Sequence, residues 1–136
     1  MDYQKMVDAR NERNLFVKKL GIVLEEIGPG YARVSKTVEA EDANPLGVPH
    51  GGLYFTMADN ACGSAMASHG YAAVTLNASY QFFRSAQVGD HIIAEAQEIK
   101  YGKTVCVYEA RVTRQDGTLL GTGTFTFFQL GQKLEM

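Results

Sequence analysis

One carboxylate stands out by its surroundings. From Gly51 to Ser68 the chain is almost wholly apolar or small, and Asp59 lies near the middle of that run. The run of about eighteen residues measures roughly 27 Å as a helix at about 1.5 Å per residue. Its apolar positions, Leu53, Tyr54, Phe55, Met57, Ala58, Ala61, Cys62, Ala65, Met66 and Ala67, go all the way round, the pattern of a helix buried in a core. Asp59, Asn60, Thr56 and Ser64 interrupt it too often for a membrane span. An ionised carboxylate in such a place is costly unless it is paired or used chemically. Asp59 is therefore either a structural acid satisfied by a hydroxyl or amide, or a catalytic one.

The residues just upstream bear on that choice. His50-Gly51-Gly52 begins the helix with no Ser, Thr, Asp or Asn directly ahead. The first-turn N–H groups are orphaned by helix geometry, and glycine leaves them open to a ligand. Open amides at a helix N-terminus stabilise negative charge, such as that on a polarised carbonyl oxygen. Gly51 and Asp59 are eight residues apart, about 12 Å along the axis. Reacting groups must approach to about 3–3.5 Å, so both cannot serve one carbonyl from one chain. Two antiparallel helices across a two-fold axis bring the Asp59 of each to the Gly51 of the other. A homodimer is the expectation.

The elements that must position these residues follow from periodicity and breakers. Residues 3–19 are loosely helical, with Gly21 as a stop. Ile22–Ile27 and Tyr31–Val38 read as strands joined by Gly28-Pro29-Gly30, and residues 39–48 as a loop delivering Asn44 and His50 to the helix. His69-Gly70 closes the helix. Val74, Leu76, Ala78, Tyr80 and Phe82 alternate with Thr75, Asn77, Ser79 and Gln81, giving a half-buried strand with the apolar set inward. Strands are expected over His91–Ile99, Thr104–Arg114 and Thr118–Phe128, the last pair joined by a two-residue hairpin at Asp116-Gly117. Residues 131–136 read as a tail. Short turns between consecutive strands imply an antiparallel sheet, and one apolar helix needs a concave surface to bury it. The fold class is α+β: a curled antiparallel sheet wrapped around one long helix.

Bulk properties narrow the function. The 136 residues, 46% hydrophobic and 21% charged, suit a single domain spanning 1–136. A net charge of −2 with scattered basic residues disfavours nucleic acid. Met1-Asp2-Tyr3-Gln4-Lys5 lacks the apolar run of a secretory signal. Cys62 and Cys106 read as core residues of a reducing cytoplasm, and Cys62, Cys106, His50, His69 and His91 show no zinc spacing. No Gly-x-Ser-x-Gly elbow supports a Ser-His-Asp hydrolase.

The pattern Asn44…Gly47…His50-Gly51-Gly52…Asp59 resembles the hotdog-fold acyl-CoA thioesterases, in the phenylacetate-degradation (PaaI-like) and 4-hydroxybenzoyl-CoA thioesterase-like branches. The resemblance runs from about Leu15 to Phe128. It implies hydrolysis of an acyl- or aryl-CoA thioester to carboxylate and free CoA, with no cofactor and no metal. Asp59 then attacks the thioester or activates water, and Gly51 supplies the oxyanion amide. Asn44 orients the water or carboxylate, or simply forms an Asn-Pro turn. His50 contacts the thioester region or holds the loop. A Ser or Thr that assists the carboxylate falls near Ala73–Thr75: absent if the position is Ala73, present if it is Thr75. Ser64 is a second candidate, with core packing as its simpler role. Gly52 fits packing better than chemistry.

For coenzyme A, the resemblance points to Gly102 and Lys103 within Lys100-Tyr101-Gly102-Lys103-Thr104, and to Arg84. Arg84 follows Phe82-Phe83 where relatives often read Arg-Pro, and Ser85 replaces that proline. Tyr54, Phe55, Phe82 and Phe83 either line an acyl pocket or fill the core. Relatives commonly pair dimers into a homotetramer. Two other readings stand beside this one. A hotdog dehydratase or hydratase requires a catalytic His paired with a carboxylate, and a non-catalytic acyl-CoA-binding module has no use for a buried Asp59.

Overall fold

Polar side chains start and stop the N-terminal helices. In the computed structural model, which describes residues 1–135, the Asp2 side chain accepts from the Lys5 amide at 3.0 Å and starts α1 (Tyr3–Arg13). Asn14 ends α1 and caps α2 (Leu15–Lys19) through the Val17 amide, so the single loose helix expected there is two. Six strands follow: β1 (Val23–Gly28), β2 (Tyr31–Thr37), β3 (Tyr71–Phe82), β4 (His91–Tyr101), β5 (Val105–Arg114) and β6 (Leu119–Lys133). A short 3-10 turn, Ala40–Asp42, precedes α3 (Gly51–Ala67).

The strands form one antiparallel sheet in the order β1-β2-β4-β5-β6-β3. α3 lies in its concavity, as the α+β expectation requires. Small residues allow the close approach: Ala58, Ala61, Cys62 and Ala65 on the helix and Ala94, Ala96 and Ala110 on the sheet are all fully buried. Tyr108 and Phe125 fill the space between them. Gly70, at φ 85°, ends α3 by donating to Ala67, a conformation that favours glycine.

The two sheet edges are treated differently. β1 is covered by α1, where the Asn11 side chain binds both backbone groups of Leu24 at 2.8 and 2.9 Å. β3 is twelve residues long and unpaired on its outer side. It carries Val74 and Leu76 at 52% and 58% exposure. A long, apolar, open edge is a template for another strand.

Four further expectations need correction. First, α3 is not buried all round: Gly52, Phe55, Thr56, Asp59 and Gly63 stay partly or fully open, at three- and four-residue spacing along one stripe. Second, the alternation along β3 does not hold. A register shift between Thr75 and Asn77 opposite β6 inserts one extra residue. It exposes Val74 and Leu76 while leaving Ala78 and Tyr80 half-buried against the core. Third, the β5–β6 loop has three residues, Gln115-Asp116-Gly117, with Arg114 and Thr118 paired across it and Gly117 at φ 87°. Fourth, residues 131–133 continue β6, where Lys133 pairs with Tyr71, instead of forming a tail.

Candidate active site

α3 is started by His50. Its backbone is extended (φ −60°, ψ 137°), and its Nδ1 accepts from the Gly52 amide at 2.8 Å while its carbonyl accepts from the Leu53 amide at 2.9 Å. Histidine thus does the work normally given to Ser or Asp, and the expectation of an uncapped start is corrected. Among the described residues the Gly51 amide makes no hydrogen bond. Of the three amides Gly51, Gly52 and Leu53, only that of Gly51 is open to a ligand.

The segment ahead of the helix is fixed by a buried ion pair. Lys36 on β2 meets Asp42 at 3.1 Å, with side chains only 3% and 7% exposed, and also donates to the Leu20 carbonyl. The Asp42 carbonyl accepts from the His50 amide at 2.8 Å. Breaking such a pair leaves an uncompensated buried charge, so this end of the loop is held firmly. Asn44 stays within the loop: its Oδ1 accepts from Leu46 at 2.9 Å and Val48 at 3.4 Å, forming a turn, and it lines none of the cavities described below.

Asp59 lies two turns further on, on the open stripe. Thr75 Oγ1 donates to its Oδ1 at 2.8 Å. Of the positions left open in sequence, Thr75 and not Ala73 carries the hydroxyl, and the β3 irregularity at Thr75/Asn77 is what turns Thr75 toward the helix. Partial burial raises the Asp59 pKa above the ordinary carboxylate value, and the Thr75 hydrogen bond pulls it partly back. Ser64 is not the helper. It is fully buried and accepts from Arg10 Nε at 3.1 Å.

Three concavities run along this surface. A cavity of about 480 Å³ holds Asp59 and Thr75 together with Phe55, Asn60, Arg10 and Phe127. A second, of about 410 Å³, holds His50, Gly52 and Asp42, and shares Phe16 and Thr56 with the first. A third, of about 300 Å³, brings Gly51 to Tyr54, Phe82, Phe83 and Arg84. Gly52 is exposed, and a Cβ on it would sit 3.0 Å from His50 Nδ1, so glycine here makes room for the cap. Gly102 and Lys103 lie in the β4–β5 turn, beyond the Val74 end of β3, whereas Gly51 adjoins Phe82 at its other end. A single chain therefore does not bring Arg84 and Lys103 together. Among the described residues, no three His, Cys, Asp or Glu side chains are grouped to hold a metal, and no helix is long and apolar enough to cross a membrane.

Comparison with known proteins bears on the family and the fold. Residues 46–120 match the family model of the thioesterase superfamily. The chain is 36% identical over 107 residues to the acyl-coenzyme A thioesterase PaaI of Escherichia coli K12, covering 79% of this chain and 76% of that one. It is 31% identical over 129 residues to a putative esterase of Archaeoglobus fulgidus, covering 95% and 84%. A solved structure of the E. coli PaaI protein from the phenylacetic acid degradation operon superposes with a TM-score of 0.90 at 30% identity, over 94% of this chain and 93% of that one. A Streptococcus mutans protein bound to acetyl-CoA superposes at 0.79 and 29% identity, over 83% and 91%. The hotdog fold of these structures is the fold described above, with the helix N-terminus and its carboxylate carried within the matched segment. The chain belongs to the thioesterase superfamily.

Proposed function

We propose that the protein hydrolyses an acyl-CoA thioester to a carboxylate and free CoA at a site shared by two copies of the chain. One observation carries this reading: α3 presents one unpartnered amide, that of Gly51, and one open carboxylate, that of Asp59, on the same element. They are about 12 Å apart, too far to act on one carbonyl carbon. Pairing of the open β3 edges of two chains would set the two α3 helices antiparallel, each Asp59 opposite the other chain's Gly51. The acetyl-CoA bound to the similar Streptococcus mutans protein supports the substrate class.

In the reaction the thioester oxygen takes a hydrogen bond from the Gly51 amide, which strengthens as negative charge develops on that oxygen. Asp59, oriented by Thr75, either removes a proton from the attacking water or attacks the carbonyl itself, and water then releases it. Both routes need the ionised carboxylate, and neither calls on a cofactor. The thiolate of coenzyme A leaves without a dedicated acid, and His50 serves as the helix cap. Asn44 shapes the loop. Arg84, beside Gly51, is the cation best placed for a phosphate of coenzyme A. Lys103 would contribute only from another part of the assembly, as in a tetramer of paired dimers. The two buried free cysteines, Cys62 and Cys106, suit a reducing cytoplasm.

A dehydratase would require a histidine and a carboxylate facing one substrate. His50 is committed to the cap, and the His69–Glu98 pair lies past the far end of α3. The test is thiol release from a panel of acyl-CoAs by the wild type and by Asp59→Asn. Turnover by the wild type that falls by a factor of about 10²–10⁴ in the variant supports the reading. Tight acyl-CoA binding without turnover would favour a binding module instead.

A further inference from the structure

The cavity around Asp59 has a second polar end that hydrolysis does not use. Arg10 enters it from α1, outside the segment 46–120 that matches the family model. Its Nε is anchored on Ser64 at 3.1 Å, and Nη2 lies over Gly63, 3.8 Å from where a Cβ would stand. Among the described residues no carboxylate comes within ion-pair distance of it. Glu135, which shares a smaller groove with Arg10 and Arg13, forms no ion pair with it. Desolvation by burial pulls the Arg10 pKa down.

A guanidinium desolvated without a carboxylate is unfavourable unless something else meets it. The one sealed side-chain polar atom without a partner among the described residues is Tyr80 Oη. Arg10 lines the cavity, and its terminal nitrogens are not among the sealed, unpartnered atoms of the described residues. Asn60 also lines this cavity, its Oδ1 accepting from Asn14 at 3.4 Å and its amide nitrogen bonded to no described residue. The cavity thus holds an acidic group, Asp59, and a cationic one, Arg10.

Resting on the thioesterase reading, we propose that Arg10 binds a terminal carboxylate on the acyl group, so that the substrate class is the mono-CoA thioester of a dicarboxylic acid. Gly63 is four residues beyond Asp59, about 6 Å along the helix. An extended chain advances about 1.2 Å per bond, three bonds spanning roughly 3.5 Å. A six-carbon dicarboxylic acid fits that span. A planar guanidinium matches a carboxylate with two parallel hydrogen bonds. The hydrated phosphates of coenzyme A fit the exposed Arg84 groove better than this half-buried one.

The experiment compares kcat/KM for adipyl-CoA and hexanoyl-CoA, equal in chain length, in the wild type, Arg10→Met, Arg10→Lys and Ser64→Ala, with thermal melts of each. The wild type is expected to prefer adipyl-CoA. Arg10→Met is expected to lower the adipyl/hexanoyl ratio at least about tenfold, mainly through KM, with partial recovery in Arg10→Lys and a smaller loss in Ser64→Ala. Should Arg10→Met fail to fold, the ratios in Arg10→Lys and Ser64→Ala decide. No wild-type preference, an unchanged ratio, or an equal loss for both thioesters would overturn the proposal; the last places Arg10 on coenzyme A or in the fold. Turnover of hexanoyl-CoA alone leaves the thioesterase reading standing, whereas turnover of neither ester nor any other acyl-CoA defeats that reading itself.

Discussion

Replacing Gly51 by proline removes one hydrogen atom from the site and little else. Proline is tolerated at the first position of a helix because its missing N–H would be unpaired there in any case. Gly51 is that position, and its amide has no partner to lose. His50 before it already holds the extended conformation that a following proline requires (φ −60°, ψ 137°). The nearest obstacle to a Cβ is the Phe82 ring, 3.2 Å away on an exposed side chain that can move. The fold should therefore survive, with a melting temperature close to that of the wild type. Loss of one oxyanion donor typically lowers kcat by about 10²–10³, or roughly 2.7–4 kcal/mol. Thiol release under saturating acyl-CoA is the assay, with Gly51→Ala, which keeps the amide and meets the same ring, as the control. The reasoning fails if Gly51→Pro, folded and dimeric, keeps kcat within a few-fold of wild type, or if Gly51→Ala loses as much.

Thr75→Val deletes the hydroxyl that donates to Asp59. A hydrogen bond to a carboxylate favours its charged form, so the acidic limb of the kcat/KM profile is expected to move to higher pH; an unmoved limb would show that Thr75 does not touch the working carboxylate. Asp59→Asn concerns stability. Because burial raises the folded-state pKa of Asp59 above its unfolded value, the ionised carboxylate destabilises the fold at every pH above that raised value. The asparagine variant is thus expected to melt higher than wild type at pH 7–8. The difference shrinks as pH falls through the raised pKa and vanishes below about 3.9, the ordinary value for Asp. An asparagine variant that melts lower at pH 8 would contradict this.

The long apolar helix was legible in the sequence because seventeen residues of small and apolar side chains leave no other structure. Asp59 and Gly51 were legible because a carboxylate in an apolar run and glycines at a helix start both break local rules. The pairing of β5 with β6 followed from the turn signal at Asp116-Gly117. Thr75 was not legible as the partner of Asp59. Strict alternation puts it on the outer face, and only an irregularity in pairing with β6, a strand some fifty residues away, reverses it. His50 as a cap depended on a ring rotamer that spacing does not encode. Arg10 was missed because its significance lies in what does not face it, which requires the packing of α1 against α3. The open stripe from Gly52 to Gly63 was missed for a related reason: Phe55 reads as core, and it is left partly bare because one chain does not cover that side.

The claim that one site draws on two chains is tested most directly by mixing two inactive proteins. Asp59→Asn and Gly51→Pro are each purified, unfolded, mixed in equal amounts and refolded together. In a mixed dimer one site carries both changes and the other carries neither. Half the dimers are mixed and half of their sites intact, so about a quarter of wild-type activity should return. No recovery, with mixed dimers shown to have formed, would mean that Asp59 and Gly51 do not meet across the interface.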